Sequence, residues 1–261
     1  MTVRDDIAVT PLDEAAVDLR EARFAIYYAP PSDSAWWYEG SRWLGRDAQS
    51  GAPCDAPAVP GLSQSLHGLT IDARRYGWHA TLKPPMRLRD GAGVSDLRAA
   101  AMAVAARHRG FDVSVHAALL GAKEDGTRGF MALRPAHGQA AREAIDALAH
   151  DCVTSLDALR MPATPDELAQ RRATGLTPRQ DALLQRWGYP FVGEEFRFHM
   201  TLSDRVGDSD ATAIRAWWAP RVAALGPLPV NDIAIFVQAR AGEPFHLAQR
   251  IALRASMGDE A

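Results

Sequence analysis

The chain has only two cysteines, Cys54 and Cys152, in 261 residues. Two cysteines are too few for a disulfide framework or for a cysteine-rich zinc site, so we interpret both thiols as structural or inert. A low cysteine content is typical of proteins from reducing compartments. We therefore expect a cytoplasmic protein.

An excess of basic residues is also absent. The 29 Lys and Arg residues are outnumbered by 32 Asp and Glu residues, which gives a formal net charge of −3. This balance argues against a broadly basic surface for extended nucleic acid, although it leaves room for a local basic cleft. An apolar fraction of 47% and a charged fraction of 23% are ordinary for a globular protein.

Long apolar runs are missing as well. No stretch approaches the roughly 18 uninterrupted apolar residues of a membrane-spanning helix. The start of the chain, MTVRDDIAVTPLDEAA, is acidic and has neither the basic start nor the apolar run of a secretory signal. We therefore expect no membrane partner, and we interpret residues 1–22 as an N-terminal arm.

The sequence does contain one four-residue signature twice, as His79-Ala80-Thr81-Leu82 and His199-Met200-Thr201-Leu202. An aromatic residue directly precedes each histidine, and strand-like residues flank each copy. A single His-x-Thr match is close to what chance supplies, whereas two matches with the same flanks are not.

Side chains on a β-strand point to opposite faces with a period of two. The alternation therefore places His79 and Thr81 on one face of their strand, and His199 and Thr201 on one face of the other. Each strand presents one imidazole beside one hydroxyl. This pattern predicts a single phosphate held between two matching half-sites.

The surroundings of the two copies follow the same order. A strand is predicted over residues 23–29. After the first copy we predict a helix over 95–109 and a hairpin that turns at Asp125-Gly126. After the second copy we predict a helix over 209–225, broken by Pro220, and a hairpin over 230–253. We interpret this order as an internal duplication of strand, helix and hairpin.

Two segments lie outside this repeat. Residues 138–187 read as a helical connector, with capping boxes that start at Thr164 and Thr177 and a stop at Gly188. Residues 32–60 read as a long loop with three tryptophans and the Gly45-Arg46-Asp47 turn. We interpret Trp36, Trp37 and Trp43 as core residues that anchor this loop, with base stacking as the alternative. The six other histidines show no metal-ligand spacing, so we assign them surface or structural roles (His67, His108, His116, His137, His150 and His246).

The paired histidines suit a displacement at phosphorus. One neutral imidazole takes a proton from the attacking oxygen, while the other, protonated, gives one to the leaving oxygen. The threonine hydroxyls donate hydrogen bonds to the phosphate oxygens. By alternation Lys83 and Arg197 share the faces of the histidines, where they can offset developing charge. Tyr27 is a third candidate for substrate contact. This arrangement requires no metal and no cofactor.

The residues resemble a known family, the two-histidine phosphoesterases, and within it the branch encoded beside phosphonate-utilisation genes. Residues 75–85, RYGWHATLKPP, are similar to the first motif of that branch. Residues 187–192, WGYPFV, together with 196–202, FRFHMTL, are similar to its second motif. The order of elements is similar from about residue 23 to 254.

The resemblance implies an α+β fold of two lobes, with two antiparallel sheets related by a pseudo-twofold axis, a central cleft and helices outside. The single domain would span 23–254, with a tail at 255–261. It would divide into lobe 1 (about 23–135), the connector (about 136–190) and lobe 2 (about 191–254). The resemblance also implies metal-independent catalysis, with His79, Thr81, His199 and Thr201 as the catalytic and phosphate-binding set.

We therefore predict a phosphodiesterase that acts on a cyclic or diester phosphate of a small nucleotide or sugar-phosphate, in phosphonate metabolism if the gene association extends to this chain. Two alternatives stay open. One is a cyclic phosphodiesterase or ligase of RNA ends, which needs a basic channel for the strand. The other is a non-catalytic binder of a phosphorylated metabolite. The sequence leaves the substrate, the acid and base assignment and the oligomeric state open.

Overall fold

The computed structural model describes residues 17–122, 128–136 and 138–255. Its α-helices are α1 Ala35–Leu44, α2 Leu66–Leu69, α3 Ile71–Tyr76, α4 Val94–Ala105, α5 Gln139–Ser155, α6 Pro165–Arg172, α7 Pro178–Trp187 and α8 Asp208–Leu225. Its strands are β1 Arg23–Tyr28, β2 Ala80–Met86, β3 Phe111–Val113, β4 Val115–Leu120, β5 Gly129–Pro135, β6 Met200–Val206, β7 Leu228–Val230, β8 Asp232–Gln238 and β9 His246–Ala252. Most of the predicted arm, the Asp125-Gly126 turn, His137 and the tail beyond residue 255 lie outside the described residues.

Seven strands form one antiparallel sheet in the order β4-β5-β6-β2-β1-β8-β9, and β3 pairs with β7 in a second, two-stranded sheet. The structure is therefore a mixed α/β fold with a large antiparallel sheet. The family resemblance predicts one sheet for each lobe. The two signature strands instead lie side by side, because β2 and β6 pair at Ala80↔Met200 and join the two halves into one continuous sheet.

The element order after each signature strand is the same in the described residues. β2 is followed by α4, β3, β4 and β5, and β6 is followed by α8, β7, β8 and β9. The hairpin that follows β2 joins the sheet by pairing with β6, whereas the hairpin that follows β6 joins it by pairing with β1. The two sets of elements are thus interleaved across the sheet.

Helix α1 occupies part of the segment that the sequence predicts to be a loop. Ser34 caps its start by accepting a hydrogen bond from the Trp37 backbone N–H, and Gly45 ends it in the left-handed conformation (φ 74°). Trp36, Trp37 and Trp43 are all buried, which confirms that they anchor this segment.

Helices α6 and α7 begin where the sequence predicts. Thr164 and Thr177 each form a capping box with a proline in the first turn, and Gly188 ends α7 in the left-handed conformation (φ 67°). The predicted break at Pro220 is wrong, because α8 continues through it to Leu225. Ile214 and Trp218 of α8 are fully buried in the core, and such packing outweighs the propensity of one residue.

The sheet separates two environments. On one face α4, α5 and α8 cover the main hydrophobic core, to which Ile26, Tyr28, Ala80 and Met200 belong. On the other face lies a smaller aromatic cluster around Tyr27. This second face also carries the polar signature side chains.

Candidate active site

The two signatures meet at the centre of the sheet. Because Ala80 pairs with Met200 in an antiparallel ladder, Thr81 lies beside His199 and His79 lies beside Thr201. Ala80 and Met200 point into the core, so the four polar side chains project from the opposite face. The structure thus brings together all four residues that the sequence singled out.

The His79 imidazole is oriented by the chain just before its strand. Its Nδ1 lies 2.9 Å from the carbonyl oxygen of Gly77. A carbonyl only accepts, so Nδ1 carries the proton and Nε2 is left for chemistry. Gly77 adopts φ 80°, a conformation that favours glycine. A Cβ at Gly77 would also lie 2.5 Å from the Cβ of Ala48.

The His199 imidazole is held in the same way. Its Nδ1 donates to the carbonyl oxygen of Arg197 at 2.7 Å. Both histidines therefore donate from Nδ1 to the carbonyl two residues upstream, which leaves the unprotonated Nε2 as the acceptor. This shared tautomer is the arrangement that proton transfer at a common ligand requires.

Burial favours the neutral form of both imidazoles. It lowers the pKa of His79 to about 4, against a smaller opposing effect of the Gly77 carbonyl, and the neighbouring His199 lowers it further. Burial also lowers the pKa of His199, again opposed by a carbonyl, here that of Arg197. Both side chains keep part of their surface open to solvent. In its neutral form His79 accepts at Nε2 from the Thr81 hydroxyl at 3.3 Å.

Tyr27 lies against this pair. It faces Thr81 across the ladder, and its ring stacks on the His79 ring with 3.8 Å between centroids. Burial raises the pKa of its phenol well above the ordinary value, as do the nearby phenols of Tyr76 and Tyr189. Its neighbour Tyr28 points into the core. The structure therefore places Tyr27, which the sequence left ambiguous, on the His79 side of the site.

His199 has different neighbours. The Phe130 ring lies 5.6 Å from it at an angle of 60°. Leu133 pairs with Met200, so Arg134 lies beside His199, and the charge of Arg134 lowers the pKa of that imidazole. Sequence reasoning missed Arg134. The alternation in 130–134, FMALR, was the available signal, because Met131 and Leu133 are buried and leave Arg134 on the polar face.

Lys83 does not share the face of His79, and the prediction that it does is wrong. The pairing of β1 with β2 changes register between Tyr27↔Thr81 and Ile26↔Lys83. This β-bulge interrupts the period of two. The Lys83 side chain is 1% exposed, and its ammonium donates to the carbonyl oxygen of Val153 at 3.0 Å. Burial lowers the pKa of Lys83 to about 8, although Asp157 opposes the shift.

Arg197 is exposed, and its guanidinium is tied to its own segment. Its Nη1 donates to the carbonyl oxygens of Glu194 at 2.5 Å and Phe196 at 2.6 Å. The backbone carbonyl of Arg197 has the clearer role, because it orients His199. A substrate contact by the side chain stays a prediction.

The Gly45-Arg46-Asp47 turn packs against the backbone that precedes His79. The Arg46 guanidinium is buried and donates to the carbonyl oxygens of Arg74, Arg75 and Phe245. Asp47 accepts from the indole N–H of Trp37 at 2.7 Å. The turn therefore holds the segment that leads into Gly77 and His79.

The structure also bears on the cysteines, on metal binding and on membrane-spanning helices. Both cysteines are free thiols, and Cys152 is buried. Across residues 17–122, 128–136 and 138–255, no group of three or more His, Cys, Asp or Glu side chains is arranged to hold a metal ion. Within the same ranges, no helix combines the length and apolar character needed to cross a bilayer.

Comparison with known families gives one match that covers most of the chain. A family described as "Protein of unknown function (DUF1045)" matches residues 81–246. The chain belongs to the DUF1045 family. The matched region includes Thr81, His199 and Thr201, and it begins two residues after His79.

Two curated relatives of this DUF1045 chain carry the same name, "Ribose 1,5-bisphosphate phosphokinase PhnN". The protein from Janthinobacterium sp. (strain Marseille) is 40% identical over 237 residues, which cover 88% of this chain and 50% of the relative. The protein from Laribacter hongkongensis (strain HLHK9) is 37% identical over 233 residues, which cover 88% of this chain and 51% of the relative. The chain therefore spans about half the length of these relatives.

Proposed function

We propose that this chain is a metal-independent phosphodiesterase of the two-histidine phosphoesterase type, acting on a cyclic or diester phosphate of a small nucleotide or sugar-phosphate. The Ala80↔Met200 pairing is the observation that carries the proposal. It sets two imidazoles and two threonine hydroxyls together on one face of the sheet, with each Nδ1 bonded to a backbone carbonyl. The interleaved element order supports an origin by internal duplication.

In this mechanism the phosphodiester lies over the four side chains. The Thr81 hydroxyl turns from His79 Nε2 to the substrate, and Thr81 and Thr201 donate hydrogen bonds to the two non-bridging oxygens. One neutral imidazole removes the proton of an attacking water at Nε2, and the oxygen of that water forms a bond to phosphorus. The P–O bond to the leaving alkoxide then breaks, and the other imidazole, protonated at Nε2, supplies its proton to that oxygen.

The names of the relatives support a ribose phosphate as the substrate class. They also describe a phosphokinase, an activity that this proposal does not include. The commonest phosphate-binding loop of nucleotide-dependent enzymes, G-x-x-x-x-G-K-[ST], does not occur in the 261 residues. We infer that the phosphokinase activity named for the relatives belongs to the half of their length that this chain does not match.

The test is turnover of a panel of 2′,3′-cyclic nucleotides and ribose cyclic phosphates, followed by identification of the phosphate monoesters that form. The wild type opens at least one of them in the presence of a chelator. His79→Ala and His199→Ala each lower kcat by about 10²- to 10⁴-fold. His150→Ala is the matched control. Because His150 is exposed on α5, this variant should leave kcat unchanged.

Three results would contradict the proposal. Equal turnover by wild type and both histidine variants would remove the histidines from the chemistry. Tight binding of the panel without turnover would favour the non-catalytic binder. Steeply salt-dependent binding of oligonucleotides would favour processing of RNA ends. A further arm incubates the chain with ATP and ribose 1,5-bisphosphate, for which we expect no phosphoryl transfer.

A further inference from the structure

Arg134, which lies beside His199, and Arg142, which lines the same cavity, form no guanidinium hydrogen bond or ion pair within the described residues. Arg134 lies near the end of β5, and Arg142 lies in the first turn of α5. Unpaired arginines on a protein surface are common, but these two line one cavity.

A second arginine-lined cavity, near the end of β2, shows the contrast. Each of its four arginines already has a partner: Arg23 with Gln238, Arg87 with Glu167, Arg160 with Asp157, and Arg171 with the carbonyl oxygen of Gly188. The bonds of Arg87, Arg160 and Arg171 hold the connector in place, whereas that of Arg23 joins β1 to β8. Arg134 and Arg142 hold nothing that the structure describes, so their donors are available to a ligand.

The cavity of Arg134 and Arg142 has a volume of about 270 Å³ and lies next to the segment that leads into His199. Its lining includes residues 196–198, the three that precede His199. Asp146 is the one carboxylate in this lining, against three arginines that include Arg197. The cavity is therefore net positive. Burial raises the pKa of Asp146, while Arg142 and Arg197 lower it.

The sheet register fixes where this charge lies. Thr81, His199 and Arg134 occupy one row across β2, β6 and β5, because Ala80 pairs with Met200 and Met200 with Leu133. Neighbouring strands in a sheet are about 4.8 Å apart. A ligand that reaches from the Thr81 hydroxyl past His199 therefore arrives at the Arg134 guanidinium. On the opposite side of the site the rings of Tyr27 and Tyr76 lie next to His79, and Arg23, whose charge acts on Tyr27, is already bonded to Gln238.

We propose that Arg134 and Arg142 form a second anion subsite, which binds a phosphate monoester group of the same substrate whose diester phosphate lies at the histidines. The inference rests on the proposed function. Guanidinium groups match phosphate oxygens in bidentate geometry, and the two arginines converge on one cavity large enough for a phosphate. The substrate thus carries two phosphoryl groups, and the cationic subsite sets its direction across the sheet.

Binding of inorganic phosphate tests the subsite without reference to turnover. Calorimetry and a phosphate-soaked crystal of the wild type should show one phosphate at the histidines and another in the arginine cavity. The double variant Arg134→Gln/Arg142→Gln should lose the cavity phosphate and keep the other. A cavity without phosphate in the wild type, or unchanged binding by the double variant, would overturn the subsite while leaving the proposed function standing. If the wild type instead binds phosphate in the arginine cavity and none at the histidines, that result would count against the proposed function.

Turnover measures the same contact in a substrate. The probes are adenosine 2′,3′-cyclic phosphate and the same compound with a 5′-phosphate. The double variant should raise KM for the 5′-phosphorylated probe by about tenfold or more and change kcat less than twofold. KM for the probe without 5′-phosphate should not change. Arg87→Gln is the control, since it removes an arginine from the other cavity. An equal KM change for both probes would overturn the assignment.

Discussion

The two histidine half-sites share one hydrogen-bond pattern and differ in what surrounds it. His79 lies against the Tyr27 ring at 3.8 Å, next to further phenols, and takes its orientation from a glycine carbonyl. His199 has Phe130 at 5.6 Å and the Arg134 charge beside it, and takes its orientation from the carbonyl of Arg197. The backbone relation is common to both, whereas the electrostatic surroundings are not.

This difference shows which properties of the two half-sites follow from the paired strands themselves and which follow from their neighbours. Pairing of β2 with β6 fixes the positions of both imidazoles relative to each other, whatever lies next to them. The neighbours come from β1 on one side, which supplies Tyr27, and from β5 on the other, which supplies Arg134. Two matched groups can thereby occupy unequal environments, which is how one pair of histidines divides acid and base duties.

Among variants outside the four signature side chains, the largest effect should come from the glycine that only the first half-site requires. In Gly77→Ala the added Cβ would lie 2.5 Å from the Cβ of Ala48, at a residue with φ 80°. The backbone must therefore move, and the residue 77 carbonyl that accepts from His79 moves with it. We expect kcat to fall about 10²-fold and the free energy of unfolding to fall by about 1–3 kcal/mol. Turnover of adenosine 2′,3′-cyclic phosphate and urea unfolding measure the two effects.

Gly226→Ala is the matched control for that strain. Gly226 has φ 72°, its added Cβ would meet no atom within 4 Å, and it follows α8, outside the segment that holds His79. It should lower stability with little effect on kcat. Arg197 is not at positive φ, so Arg197→Ala keeps the carbonyl that orients His199, and its effect on kcat should be smaller than that of Gly77→Ala. Equal losses of kcat in all three variants would remove the proposed asymmetry.

The dependence on pH should give the next largest effect. Burial lowers the pKa of both histidines, that of His79 to about 4. The form of the free protein with one neutral and one protonated imidazole is therefore most populated below pH 6.5. We expect kcat/KM to follow a bell with its maximum below pH 6.5, and imidazole NMR titration to give a lower pKa for His79 than for His199. A maximum above pH 7 would contradict this.

Stability should follow the same groups with a defined sign. Both folded-state pKa values lie below the unfolded value of about 6.5, so the unfolded chain binds more protons in the window from there to about pH 4. The free energy of unfolding should therefore fall as pH falls through this window. His79→Asn should show a smaller fall, and an equal slope in wild type and variant would show that His79 is not the group responsible.

Much of the site could be predicted from local sequence, and the rest depended on pairing. The period of two gave the shared faces of His79 with Thr81 and of His199 with Thr201, and capping chemistry gave the starts of α6 and α7. Joining of β2 to β6 in one sheet could not be read from the sequence, because strand order is a long-range property. Arg134 was missed for the same reason.

Lys83 shows where the period of two itself fails, and it gives the smallest predicted effect on turnover. The β-bulge in β2 turns its side chain into the interior, onto the carbonyl of Val153. Because the ammonium lies away from the histidines, Lys83→Met should change kcat less than twofold. The variant removes the hydrogen bond to Val153 and the 4.0 Å contact with Asp157, so thermal unfolding should show a lower melting temperature. A large fall in kcat, comparable to that expected for Gly77→Ala, with an unchanged melting temperature would return Lys83 to the catalytic face and show that the bulge is not present in solution.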